Sequence, residues 1–80
     1  MKIVVAQLNF HVGNFESNTE KIIQSINQAK SQGADLVVFS ELAICGYPPR
    51  DFLEFNDFVQ TCLGSIEKVA DATQGITAIV

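Results

Sequence analysis

The sequence predicts an α/β fold of order βαβαβ with parallel strands. Three observations predict it. Three short apolar runs are rich in β-branched residues. Two longer stretches between them carry apolar residues at helical spacing. A glycine, Gly33 or Gly75, stands where each helical stretch gives way to the next strand.

Residues 2–8 make the first strand. Ile3, Val4, Val5, Ala6 and Leu8 form a nearly continuous apolar run, as expected of a strand covered on both faces. Residues 9–14 are a polar connection containing Gly13. Asn14 caps a helix that begins near Phe15, and Asn18 is a second candidate cap one turn later. Ile22, Ile23, Ile26 and Ala29 line one face of that helix. Lys30 lies late in it, where a cation is favourable, and Gly33 supplies the stop.

Leu36 to Phe39 make the second strand, introduced by Ala34-Asp35. The strand–helix–strand unit of residues 2–39 is long enough for a parallel crossover. Residues 43–50 are a loop, relaxed at Gly46 and stiffened by Pro48-Pro49. Asp51 or Asn56 caps the second helix. Its apolar positions Phe55, Phe58, Val59, Cys62, Ile66, Val69 and Ala70 carry it to about Thr73, with Gly64 a weak point inside. Gly75 turns the chain into a third strand at 76–80. That strand is apolar and has no closing turn, so the chain is expected to be the opening of a longer polypeptide.

Composition narrows the function. Hydrophobic residues make up 48% of the chain, which suits a packed layer and opposes disorder. The net charge is −4, with five Lys plus Arg against nine Asp plus Glu. No basic patch is present, so the reading is no nucleic acid and no membrane partner. No apolar stretch reaches a spanning length. Gln7, Asn9, His11 and Asn14 interrupt the apolar start too early for a secretion signal, so a cytoplasmic location is expected. Cys45 and Cys62 match no CxxC or zinc spacing, and no metal site is expected. Cys62 reads as a small buried hydrophobe in the second helix.

Glu41 is the position that reads as chemistry. It follows the second strand directly, at the carboxyl edge where open α/β sheets place their sites. A carboxylate shielded by Phe39 and Leu42 loses water and becomes a better general base. The structural alternative is a strand-end carboxylate that caps backbone amides or pairs with Arg50. A glutamate alone does not hydrolyse an amide efficiently. It needs a nucleophile to deprotonate and a donor for the developing oxyanion, and neither is identifiable in these residues. Tyr47 either packs the loop or lines a substrate pocket whose wall Pro48 and Pro49 hold rigid. Arg50 reads as a solvating cation before a ligand of a substrate carboxylate. Phe52, Leu53, Phe55 and Phe58 read as core packing or a subunit contact. His11 reads as a surface or loop residue, since it has no companions for metal ligation. Gly13 and Asn14 lack the glycine pattern of a dinucleotide site.

Ala6-Gln7-Leu8-Asn9, the helix with Asn18 near its start, Gly33 to Leu42 and Gly46-Tyr47-Pro48-Pro49-Arg50-Asp51 resemble the amino-terminal part of the nitrilase (carbon–nitrogen hydrolase) superfamily. The continuation Gly46 to Leu53 looks most like the glutaminase domain of glutamine-dependent NAD synthetases. The resemblance covers essentially the whole chain. It implies that residues 1–80 are the βαβαβ opening segment of a four-layer αββα sandwich, the rest of a single glutaminase domain following residue 80. It implies a Glu-Lys-Cys catalytic set in which Glu41 is the glutamate, and Tyr47 a substrate-binding residue. The lysine and the cysteine are expected beyond residue 80, and neither Cys45 nor Cys62 occupies the nucleophile's place. Residues 1–80 alone are therefore expected to be inactive.

The same resemblance implies glutamine as substrate and ammonia passed to an ATP-dependent synthetase domain that acts on deamido-NAD. ATP and Mg2+ belong to that downstream domain and no cofactor to this segment. A homo-oligomer is expected. One departure is Ser40, where many members of the superfamily carry proline. Its hydroxyl is expected to bond within the strand-end turn. Two other readings stand beside this one. One is a standalone amidase, nitrilase or carbamoyl-amide hydrolase of the same superfamily. The other is a non-catalytic interaction domain.

Overall fold

The computed structural model describes residues 1–41, 43–46 and 55–80. The elements follow the order β1 (Ile3–Val5), α1 (Phe15–Ser31), β2 (Leu36–Val38), α2 (Asn56–Asp71) and β3 (Thr77–Ile79). The three strands form one parallel sheet in the order β1-β2-β3. Val4, Val37 and Ala78 share one register row, with Ile3–Leu36–Thr77 and Val5–Val38–Ile79 on either side. Expected strands at 2–8 and 76–80 are shorter in the structure. The ladder nevertheless continues one residue past β1 and β2, where Ala6 N–H donates to Val38 C=O at 2.8 Å and Phe39 N–H to Ile79 C=O at 2.9 Å.

Both helices lie on one face of the sheet and pack on each other. Successive right-handed crossovers running in one direction across a sheet give this arrangement. The core sits between the layers: Ile22, Ile26 and Ala29 from α1, Val37 from β2, Val69 from α2 and Ile76 before β3. Ile22, Ile26 and Val37 are 0% exposed, and each such side chain contributes about 1.5–3 kcal/mol. Phe15 and Phe58 join the helices edge to face, with ring centroids 4.9 Å apart and planes at 65°.

The helix ends show which sequence signals hold. Asn14 caps α1, its side chain accepting from Ser17 N–H at 3.3 Å. At the other end Gly33 takes a φ of 76°, and Gly33 N–H reaches Lys30 C=O while Ala34 N–H reaches Ala29 C=O, both at 3.0 Å. That double closure is the Schellman stop. Asn18 is not a cap, because it is wholly buried inside the first turns of α1. Neither is Asn56, the first residue of α2. The cap position is Phe55, which offers no side-chain bond, and Asp51 lies outside the described residues.

The α2 stripe is also only partly as expected. Val69 is buried and Phe58, Val59 and Cys62 half-buried, but Phe55 and Ile66 are exposed at 56% and 39% and Ala70 is exposed as well. Ser65 is buried instead, because α2 turns its small residue toward α1.

The opposite face of the sheet corrects the expectation of strands covered on both sides. Ile3, Val5 and Ile79 are 53%, 64% and 54% exposed, and they alternate with the covered row. An apolar face of this kind suits packing against a second sheet about 10 Å away. The βαβαβ order and the parallel sheet are as predicted, and they supply one helix layer and one sheet layer of the expected sandwich. A peptide of residues 1–80 alone should bind a hydrophobic dye such as ANS strongly and self-associate at micromolar concentration. A monomeric, dye-silent peptide would contradict this picture of the bare face. No helix among the described residues is long and apolar enough to cross a membrane.

Candidate active site

The carboxyl ends of β1 and β2 open into two connections that face each other. From β1 the chain runs through Leu8, Asn9 and Phe10 toward α1. From β2 it passes Phe39, which is buried, to Ser40 and Glu41, which are exposed, and then into a turn whose residues Ala43 to Gly46 are buried. Leu8, Asn9, Phe10, Ser40 and Glu41 together line a concavity of about 210 Å³. Glu41 is thus placed beside a cleft at the strand exit.

Two features of that placement differ from expectation. Glu41 is exposed, so the shielding expected from its neighbours is not provided by the described residues. Phe39 turns into the core instead, and Leu42 lies outside them. The Ser40 hydroxyl, expected to bond within the turn, sits on an exposed residue and takes no partner among the described residues. Tyr47, Pro48, Pro49, Arg50, Phe52 and Leu53 also lie outside the described residues, as do the readings attached to them.

The walls of the cleft are held from α1. Lys21 Nζ donates to Asn9 C=O. Asn18 holds both backbone groups of His11, accepting from its N–H at 3.0 Å and donating to its C=O at 2.7 Å. His11 itself is exposed, in keeping with a surface role. The Asn18 amide also donates to Ile44 C=O at 3.1 Å, so one side chain joins the two connections. Sequence reasoning placed Asn18 at a helix end. The signal that pointed elsewhere was its spacing, since Asn18, Ile22, Ile26 and Ala29 fall on one helical face.

Beyond the turn lies an apolar groove of about 340 Å³ lined by Ala43, Ile44, Cys45, Val59, Cys62 and Leu63 among others. Burial, and then the neighbouring Cys45 thiol, push the Cys62 thiol above the ordinary range. A raised value keeps the thiol protonated and unreactive. Cys62 should therefore react with iodoacetamide at pH 8 well below the rate of an exposed cysteine. Its rate should still be climbing at a pH where the exposed thiol has levelled off. Equal rates would show that the groove does not shield it. A larger groove of about 630 Å³ runs between α1 and α2, lined by Phe15, Thr19, Ile23, Thr61, Ser65 and Lys68 among others. It contains no residue from the strand exits. Among the described residues no three His, Cys, Asp or Glu side chains gather as a metal site would require.

Fold and cleft together define an α/β layer with an acid at the end of its central strand. The chain belongs to the carbon-nitrogen hydrolase family, whose model matches residues 2–78. It is 47% identical over 81 residues to a glutamine-dependent NAD(+) synthetase of Xylella fastidiosa, an alignment covering all of this chain and 15% of that protein. A protein of the same description from Acinetobacter baylyi is 38% identical over 73 residues, covering 88% of this chain and 14% of its own length.

Two solved structures share the fold. The glutamine-dependent NAD+ synthetase of Acinetobacter baumannii, in complex with ADP, superposes with a TM-score of 0.87 at 36% identity, over 95% of this chain and 14% of that one. The enzyme of Cytophaga hutchinsonii gives a TM-score of 0.90 at 25% identity, over 95% of this chain and 13% of that one. The chain spans about 15% of the length of the Xylella relative it matches.

Proposed function

We propose that these residues supply the general base of a glutamine amidohydrolase that delivers ammonia to NAD synthesis. The observation that carries the proposal is the position of Glu41, at the carboxyl edge of β2 and beside a cleft formed with the β1 exit. In this reading Glu41 takes the proton of a cysteine thiol contributed from beyond residue 80. The thiolate adds to the side-chain amide carbon of glutamine, the carbon–nitrogen bond breaks, and ammonia leaves. Water then hydrolyses the thioester, with the same carboxylate passing protons in each direction. A lysine, also from beyond residue 80, positions and stabilises the reacting oxygen.

Exposure of Glu41 among the described residues fits this division of labour, because the nucleophile and the remaining pocket wall have to approach it. Tyr47 is assigned to that wall. The synthetase part takes ATP, Mg2+ and deamido-NAD, and the whole protein acts as a homo-oligomer in the cytoplasm. The net charge of −4 supports a role without nucleic acid or an anionic membrane as partner. The test is Glu41→Gln in the whole protein. Glutamine-driven NAD synthesis should be lost while synthesis from added ammonia persists, and retention of the glutamine-driven reaction overturns the proposal.

A further inference from the structure

We propose that Asn18 is a positioning residue for Glu41, its buried amide stapling the two strand-exit connections together and so setting where the carboxylate stands. This inference rests on the function proposed above for Glu41. It starts from an anomaly in α1. Asn18 occupies the core-facing side of an amphipathic helix and is 0% exposed. A buried amide is unfavourable unless its hydrogen-bonding groups are satisfied. Asn18 meets that condition with backbone groups of the two connections. Its Oδ1 accepts from His11 N–H at 3.0 Å, and its Nδ2 donates to His11 C=O at 2.7 Å and Ile44 C=O at 3.1 Å. Two carbonyls on one side and an N–H on the other fix the orientation of the amide. Aspartate has no donor for either carbonyl, and glutamine is a methylene too long.

The same two connections meet at two further points. Gly13 N–H donates to Cys45 C=O at 2.9 Å. Gly46 presses its Cα onto the His11–Val12 backbone, so that a Cβ there would lie 2.6 Å from Val12 N, and its φ of +86° already disfavours a side chain. Residues 11–13 and 44–46 thus form a clamp with Asn18 at its centre. Each wall of the Glu41 cleft is anchored in the sheet and in this clamp, and the first is also held by Lys21 at Asn9 C=O. The Leu8–Phe10 wall runs from the Ala6–Val38 bond to His11. The wall carrying Glu41 runs from the Phe39–Ile79 bond to Ile44. Release of the staple leaves the two connections joined, among the described residues, only by the Gly13–Cys45 bond and the Gly46 contact, with no side chain of α1 holding the Glu41 wall at Ile44.

A carboxylate displaced by about 1 Å from its reacting partner loses about 10²-fold in rate, and that defines the experiment. In the whole protein, Asn18→Ala should lower kcat for glutamine-driven synthesis by roughly 10–100-fold. KM for glutamine should change far less, and ammonia-driven synthesis should be retained. The acid limb of the glutamine pH profile should also move, since the carboxylate sits in a changed setting. Asn14→Ala, which removes the α1 cap but not the staple, should leave that limb in place. Gly46→Ala opens the clamp from the other side with α1 intact and should reproduce the Asn18→Ala phenotype.

A wild-type kcat and acid limb in soluble Asn18→Ala protein overturn the inference. If Asn18→Ala does not fold, Gly46→Ala decides on the same criteria, and failure of both to yield soluble protein overturns positioning in favour of a folding role. Glu41→Gln serves as the reference. Full glutamine-driven activity in that variant defeats the functional reading itself. An inactive Glu41→Gln beside a fully active Asn18→Ala defeats only the staple.

Discussion

Replacing Glu41 with glutamine in the whole protein should reduce glutamine-driven NAD synthesis by about 10²–10⁴-fold, the range contributed by a positioned general base. Glutamine keeps the size of the side chain and removes its basicity, so the change tests proton transfer with little disturbance of packing. Glu41 is exposed and lies outside the core, and substitution there should shift stability by less than about 0.5 kcal/mol. Ammonia-driven synthesis should stay near wild type because it bypasses amide hydrolysis. The informative measurement is the ratio of the two activities in one preparation. A parallel fall in both would assign Glu41 a structural part.

The second large effect is on stability. Ile26→Ala should destabilise the fold by about 2–5 kcal/mol, the transfer free energy of the deleted groups plus that of the cavity left behind. Ile26 is 0% exposed and packs in the cluster with Ile22, Val37 and Val69, where α1, α2 and β2 converge. A loss of that size is a substantial share of the roughly 5–15 kcal/mol that holds an ordinary domain together. The denaturant midpoint for loss of glutamine hydrolysis should therefore fall clearly, while Glu67→Ala on the exposed side of α2 should leave it almost unchanged. Equal midpoints for the two variants would mean that the core does not sit between helix layer and sheet.

The correspondence between sequence and structure is closest where a single element decides the outcome. Asn14, Gly33 and the Ile22–Ile26–Ala29 stripe act within one helix, through capping, a left-handed turn and a 3.6-residue period. Glu41 could be placed at a strand exit because Leu36 to Phe39 is a short apolar run with polar residues directly after it. Asn18 was misjudged as a candidate cap because what surrounds it is set by other elements. Asn18 is satisfied by carbonyls 7 and 26 residues away in the chain, and no local pattern records either bond. Asn56 failed as a cap for a related reason, since the chain enters α2 one residue earlier, at Phe55.

By itself the sequence determined the element order, the parallel sheet, the helix boundaries of α1 and the residue that stands at the end of β2, since each depends on periodicity and neighbouring residues. Only the tertiary structure decided which face of the sheet the helices cover, that Glu41 opens to a cleft shared with the β1 exit, and that a buried amide in α1 ties the two exits together. These are relations between segments distant in the chain. Hydrogen bonds and packing across such distances depend on how layers meet in space, which local propensity does not encode.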